Sequence, residues 1–319
     1  MTTARSSSLI FVADRGGTDV FHADVIGEVE TYRHQIDDAL ARLAGNDLAP
    51  LEARGPRVAA AIRYSLLGGG KRFRGILLLA AYRAAGGTGN ATLLAAAIEV
   101  VHAYSLIHDD LPCMDDDDVR RGRPTVHRRF DTRVATVAGL VMVPLAARTA
   151  ARAAHELSPS NAGRIVRELM AASGAGGMIG GQMLDLDGEG RTLSLADLEQ
   201  IHAAKTGALV STAALLGGLA AGASREAVGA LARYGSDVGL AFQIIDDVLD
   251  VTATTEALGK TAGRDAALGK STYPALLGVD GAMQRADALI DEGCAALAAV
   301  GLLTPLLQSI ARFVVRRRA

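Results

Sequence analysis

With 319 residues and a formal net charge of −2, the chain has no basic excess of the kind that non-specific nucleic-acid binding requires. Half of it is hydrophobic, Trp is absent and aromatics make up 4%, while Ala and Leu abound, so the composition favours helices around a sizeable core. Two cysteines far apart in sequence and in no metal-ligand spacing, Cys113 and Cys294, argue against a disulfide framework and fit a reducing cytoplasm.

The opening "MTTARSSSLIFVADRGG" lacks the continuous apolar run of a secretory signal. Residues 1–20 are expected to form a flexible tail ahead of one domain over 21–319. Apolar residues at helical spacing predict helices over 24–43, 56–67, 74–85 and 93–111. More are predicted over 131–155, 160–184, 195–222, 225–252, 271–278 and 280–300, with a last one ending in "RFVVRRR". Glycine-rich breaks ("GGGK", "GGTGN", "DGEG") separate them without resembling a domain linker. No sustained alternation of β-branched and polar residues predicts a strand. The expected fold class is all-α, a single large bundle of ten or more helices. The uncharged run 206–224 is long enough to span a bilayer. It is rich in Gly, Ala, Ser and Thr, so it reads as a buried core helix and no membrane span is expected.

The chemistry concentrates in "HDDLPCMDDDDVRRGRP", residues 108–124, with six aspartates in ten residues followed by Arg120, Arg121 and Arg123. The acids begin at the C-terminal end of an apolar helix, where the helix dipole favours cations. Hard divalent cations take oxygen ligands, and Mg2+ typically binds one or two carboxylates plus substrate phosphates. Asp109 and Asp115 are six apart, which places them on different faces of a regular helix. Pro112 breaks the ladder between them and permits a bulge that returns Asp115 to Asp109. A second cluster, "FQIIDDVLD", sets Asp246 and Asp250 on one helix face with Asp247 beside them. Two acidic clusters on two apolar helices predict a deep central cavity with metals between facing helices.

The cations complement them. "GGGKRFRG" carries Lys71, Arg72 and Arg74, and Lys205, Lys260 and Lys270 each sit beside small residues. Together with Arg120 and Arg121 they predict a phosphate-rich ligand. The two "GK[ST]" matches lack the glycine that a P-loop needs five residues earlier, where Thr254 and Arg264 stand. "DLDGEG" has Ala196 where an EF-hand needs glutamate and reads as a helix-ending turn. Glu99 and His102 are spaced as a metal pair without a matching second pair. No Ser-His-Asp set or activated Cys is present. The combination suits metal-assisted departure of diphosphate, leaving a carbocation in a water-excluding apolar pocket.

On these stretches, together with "SLLGGGKRFRG", "GGQMLDLDGEG", "IHAAKTGAL" and "LGKTAGRDAALGKSTYPALLG", the sequence resembles the trans-isoprenyl diphosphate synthases, the polyprenyl synthetase family, over about residues 60–280. It looks most like their bacterial farnesyl/geranylgeranyl branch. The resemblance implies an isoprenoid-synthase fold, a homodimer, Mg2+ (three ions with substrate bound), and condensation of isopentenyl diphosphate with an allylic diphosphate. It assigns Asp109, Asp110 and Asp115, and Asp246, Asp247 and Asp250, to the metals. Asp109, Asp246 and Lys205 would carry the ionisation. Lys71, Arg74, His102 and Arg121 would bind isopentenyl diphosphate. Arg120, Lys205, Thr206, Gln243, Lys260 and Lys270 would contact the allylic diphosphate. Released pyrophosphate would serve as the base.

Product length should follow cavity depth. Tyr104, five residues before Asp109, lies roughly 7–8 Å back along the helix. With Ser105 beside it and Pro112–Cys113 inserted in the motif, the resemblance implies a C15 product, farnesyl diphosphate. Alternatives are a geranylgeranyl or geranyl diphosphate synthase, a diverged terpene-cyclase-like paralogue, or a non-catalytic regulatory subunit. The chain departs from the family at Leu140, where an acid is common, and at Gly75, where a proline is usual.

Overall fold

In the computed structural model, which describes residues 23–252 and 270–316, the apolar periodicities become helices packed in layers. In chain order these are α1 (Ala23–Arg42), α2 (Ala49–Glu52), α3 (Pro56–Leu66), α4 (Phe73–Ala84), α5 (Thr92–Asp109), α6 (Val126–Arg129) and α7 (Thr132–Leu157). Then come α8 (Ala162–Ser173), α9 (Met178–Asp187), α10 (Leu195–His202), α11 (Ala208–Ala220), α12 (Arg225–Thr252), α13 (Tyr273–Ala299, broken at Gly278 with φ 72°, as the separate stretches 271–278 and 280–300 predict) and α14 (Pro305–Arg316). The expected tail 1–20 and Lys260 lie outside the described residues.

Two helices are apolar on nearly every side and take the centre. In α5 Glu99 is the one Asp, Glu, Lys or Arg before Asp109, and 13 of its 18 residues are buried. It packs on α7, α4 and α1. The uncharged α11 packs on α12, α4 and α8. By length and composition, α7 and the run 195–220 could cross a bilayer, but the latter is 61% buried over its apolar window. Its apolar surface is used inside the bundle.

Three departures from the predicted elements have local causes. The stretch 160–184 is two helices, because "GAGG" at 174–177 interrupts it. The stretch 195–222 is broken by a π-helical turn, Ala203–Gly207, which carries Lys205 and Thr206. Such insertions often mark functional sites. A two-stranded hairpin, β1 (Val119–Arg120) and β2 (Arg123–Pro124), was not predicted. Its turn residues Arg121 and Gly122 both have positive φ, 53° and 71°, as a type I′ turn demands. Strands of two residues leave no periodicity to read.

Along the seam of α12 and α13, Asp237 is poorly matched to its surroundings. Its Oδ2 is buried without a hydrogen-bond partner among the described residues, and Arg233 Nε is 3.7 Å away. Burial, with Glu292 adding to it and Arg233 opposing it, pushes the carboxyl up to about 6. Between the ordinary Asp value and about 6, the folded chain therefore holds a proton that the unfolded chain releases. Stability from this group is lost as pH rises through that window. Asp237→Asn is expected to raise the thermal midpoint by about 2–4 °C at pH 7.5 and not at pH 4. Equal midpoints for the two proteins at pH 7.5 would contradict this.

Candidate active site

The last turn of α5 delivers Asp109. Beyond Pro112 the chain doubles back, and the Asp115 amide donates to the Asp109 carbonyl at 2.9 Å. The bulge expected from Pro112 is therefore present, and it brings the two acids together despite their six-residue spacing. Burial pushes the Asp109 carboxyl up to about 6, with Asp115 and Asp110 adding repulsion against the pull of Lys205 and Arg120. Asp110, also pushed to about 6 chiefly by burial, accepts from Arg120 Nε at 2.7 Å. The remaining acids of the run have separate tasks. Asp117 lies 3.4 Å from Arg120, Asp118 lies 2.9 Å from Arg128, and Asp116 makes the left-handed turn at φ 48°.

The hairpin aims the arginines. Tyr64 Oη donates to the Pro124 carbonyl at 2.7 Å, and the Arg123 guanidinium lies 4.1 Å over the Tyr64 ring. Arg121 donates to the Gly69 carbonyl and lies across Gly70, where any side chain would collide with it. Arg72 is buried, donating to the Leu66 carbonyl and pairing with Asp37.

A cavity of about 480 Å³ collects most of the predicted residues. Lys71, Arg74, His102, Ser105, Asp109, Asp115, Arg120, Arg121, Lys205, Thr206, Gln243 and Asp246 all line it. Asp109 and Asp246 reach it from different helices, α5 and α12. Burial and the guanidinium groups of Arg74, Arg121, Arg120 and Arg72 hold His102 well below the ordinary imidazole range, so it is neutral. Thr206 Oγ1 donates to Gln243 Oε1 at 3.0 Å, and Gln243 Nε2 reaches Asp247 Oδ1 at 3.4 Å.

Other predicted residues sit behind the wall. Asp247 is buried, accepts from the Tyr273 amide at 3.1 Å and lies 3.5 Å from His202 Nε2, pinning the start of α13. Asp250 is buried one turn further on. Tyr104 is buried, its hydroxyl donating to the Ser173 carbonyl at 3.1 Å across to α8. The "GAGG" break ends α8 there and leaves that carbonyl available.

Two acids that read from the sequence as part of a helix-ending turn and as half of an unmatched pair, Asp185 and Glu99, belong to the site. Asp185 accepts from Lys205 Nζ at 2.6 Å and Lys270 Nζ at 2.9 Å. Burial raises its pKa, but the two lysines outweigh that and hold it below the usual carboxylate range. Its "DLDGEG" setting does end a helix, yet the same acid gathers two predicted phosphate-binding lysines. Glu99 is buried and accepts from the Gly75 amide at 2.9 Å, a bond no proline could donate, with Arg72 Nη1 at 3.9 Å. The departure at Gly75 thus supplies a donor for the acid beneath the basic loop. Leu140 projects from α7, 60% exposed.

The carboxylates suit a hard cation in donor type and in their need for positive charge. Among the described residues, no three His, Cys, Asp or Glu side chains form a ready-made metal cage.

A profile of the polyprenyl synthetase family matches residues 56–296. The chain is 44% identical over 296 residues to the farnesyl diphosphate synthase of Escherichia coli, covering 91% of this chain and 98% of the relative. It is 39% identical to the farnesyl diphosphate synthase of Bacillus subtilis, covering 80% and 86%. Among solved structures, an FPP/GFPP synthase from Zymomonas mobilis superposes with a TM-score of 0.79 at 35% identity, covering 91% of this chain and 99% of that one.

Proposed function

The chain belongs to the polyprenyl synthetase family, and on that premise we propose that it joins isopentenyl diphosphate to an allylic diphosphate and releases farnesyl diphosphate (C15). One observation carries the reading. Carboxylates from α5 and α12 and two groups of cations line one cavity, with no nucleophile of the Ser-His or Cys-His kind required.

Asp109, Asp115 and Asp246 would hold Mg2+, three ions with substrate bound, the remaining ligand positions falling to diphosphate oxygens. When bound, Mg2+ supplies Lewis-acid neutralisation of the leaving oxygens. Asp110, Asp247 and Asp250, assigned to the metals with them, would stand behind these three, Asp110 on Arg120 and Asp247 on the Tyr273 amide. Arg120, Lys205, Thr206 and Gln243 orient the allylic diphosphate, with Lys270 held alongside Lys205 by Asp185 and Lys260 completing the set. Lys71, Arg74, Arg121 and neutral His102 hold isopentenyl diphosphate so that its double bond faces the allylic C1. The C1–O bond breaks, the double bond attacks, and pyrophosphate takes the proton. The apolar walls keep water from the cation.

The working unit in this proposal is a cytoplasmic homodimer. Val137 and Leu140 on α7 are exposed, an apolar face that a second copy would cover. Both cysteines are free. The test is incubation of the purified protein with Mg2+, isopentenyl diphosphate and each of the C5, C10 and C15 allylic diphosphates, with products weighed by mass spectrometry. C15 is expected to accumulate from the C5 and C10 primers. Accumulation of C20 or longer would overturn the product assignment, and no elongation from any primer would overturn the reaction.

A further inference from the structure

Two glutamines line the cavity, and they differ. Gln243 is used internally, its oxygen accepting from Thr206 and its nitrogen directed at Asp247. Gln182 is 6% exposed, and neither its Nε2 nor its Oε1 has a hydrogen-bond partner among the described residues. A buried amide with both ends unmade is costly to a fold, and each such group in a native structure calls for an explanation.

The helix that carries Gln182 is built to bring it there. The preceding residue, Gly181, packs on the backbone of Lys205 so closely that a Cβ would collide with the Lys205 amide and Cα. Three residues after Gln182, Asp185 grips the Lys205 ammonium. One turn before it, Met178 supplies apolar wall to the same cavity. α9 is thereby locked to the π-helical turn at both main chain and side chain, and Gln182 is fixed between those two locks.

We infer that Gln182 is a substrate-binding residue for the allylic diphosphate, its Nε2–H donating to a diphosphate oxygen beside Lys205 and Thr206. The inference rests on the proposed prenyl transfer at this site. The diphosphate has only acceptors to offer at neutral pH, which selects the nitrogen as the contacting atom. Being neutral, the amide adds a directed donor next to the lysine without repelling the cations that share the ligand.

Gln182→Met keeps the length and apolar stem while deleting both polar atoms. The expected result is a KM for the allylic diphosphate raised about tenfold or more, the KM for isopentenyl diphosphate unchanged, and a thermal midpoint equal to or above that of the unaltered protein. A second readout is calorimetric titration with inorganic pyrophosphate and Mg2+, where the variant should bind about tenfold more weakly. A residue that only supports the fold would lower the midpoint and leave the two KM values in their original ratio. That pattern, or unchanged pyrophosphate affinity, overturns the inference. Failure of the unaltered protein to elongate any primer would instead overturn the reaction on which the inference rests.

Discussion

Asp109→Asn is expected to lower kcat by about 10³-fold or more at saturating Mg2+ and both substrates, while leaving the fold intact. Asp109 faces the cavity at the point where the chain doubles back, with Asp115 beside it. In the proposed mechanism it would hold the Mg2+ that neutralises charge growing on the leaving oxygens as the allylic bond breaks. The charge on those oxygens is largest in the transition state, so at saturating Mg2+ and substrates the loss falls on kcat. Stability should move the other way or not at all. Burial already pushes this carboxyl up to about 6, so a neutral amide relieves the metal-free protein of an unfavourable charge near pH 7. The check is kcat together with a thermal melt of the metal-free variant. Activity within about tenfold of the original would remove Asp109 from the role assigned to it.

Tyr104→Ala is expected to move the product from C15 to C20 or longer. Tyr104 lies behind Asp109 on α5, is 3% exposed and is tied to α8 through the Ser173 carbonyl. Its ring is therefore held in place rather than free to swing aside as a chain grows. Removing it opens volume beyond the first motif and costs stability, roughly 3–5 kcal/mol for a buried aromatic. Tyr104→Phe separates volume from anchoring, because it keeps the ring and loses the hydrogen bond. The Phe variant should still stop at C15, and the Ala variant, assayed below its melting temperature, should not. C15 alone from the Ala variant would show that the floor of the cavity lies elsewhere.

Much of the site was legible because its chemistry is dense. The six aspartates, the second acidic cluster and the glycine-flanked cations each violate what a plain helix surface would carry. Pro112 even announced the bulge that the Asp115 amide closes. The helices were legible for the same reason, since α5 and α11 are long apolar runs. What escaped was set by tertiary contact. Nothing in "GGQMLDLDGEG" says that Asp185 will meet two lysines, one 20 and the other 85 residues away. Nothing in "FQIIDDVLD" distinguishes Asp246, which lines the cavity, from Asp247, which pins α13, until the helix is rotated against its neighbours. The hairpin and the π-helical turn escaped because two strand residues and one inserted residue carry no period.

A cavity that joins two diphosphates in this way gives up one pyrophosphate at each joining. Pyrophosphate release should be followed with geranyl diphosphate alone, isopentenyl diphosphate alone, and both together, each with Mg2+. Release is expected only with both, one pyrophosphate for each five-carbon unit added to the product. Release from geranyl diphosphate alone, with a hydrocarbon or alcohol formed and no isopentenyl requirement, would contradict it.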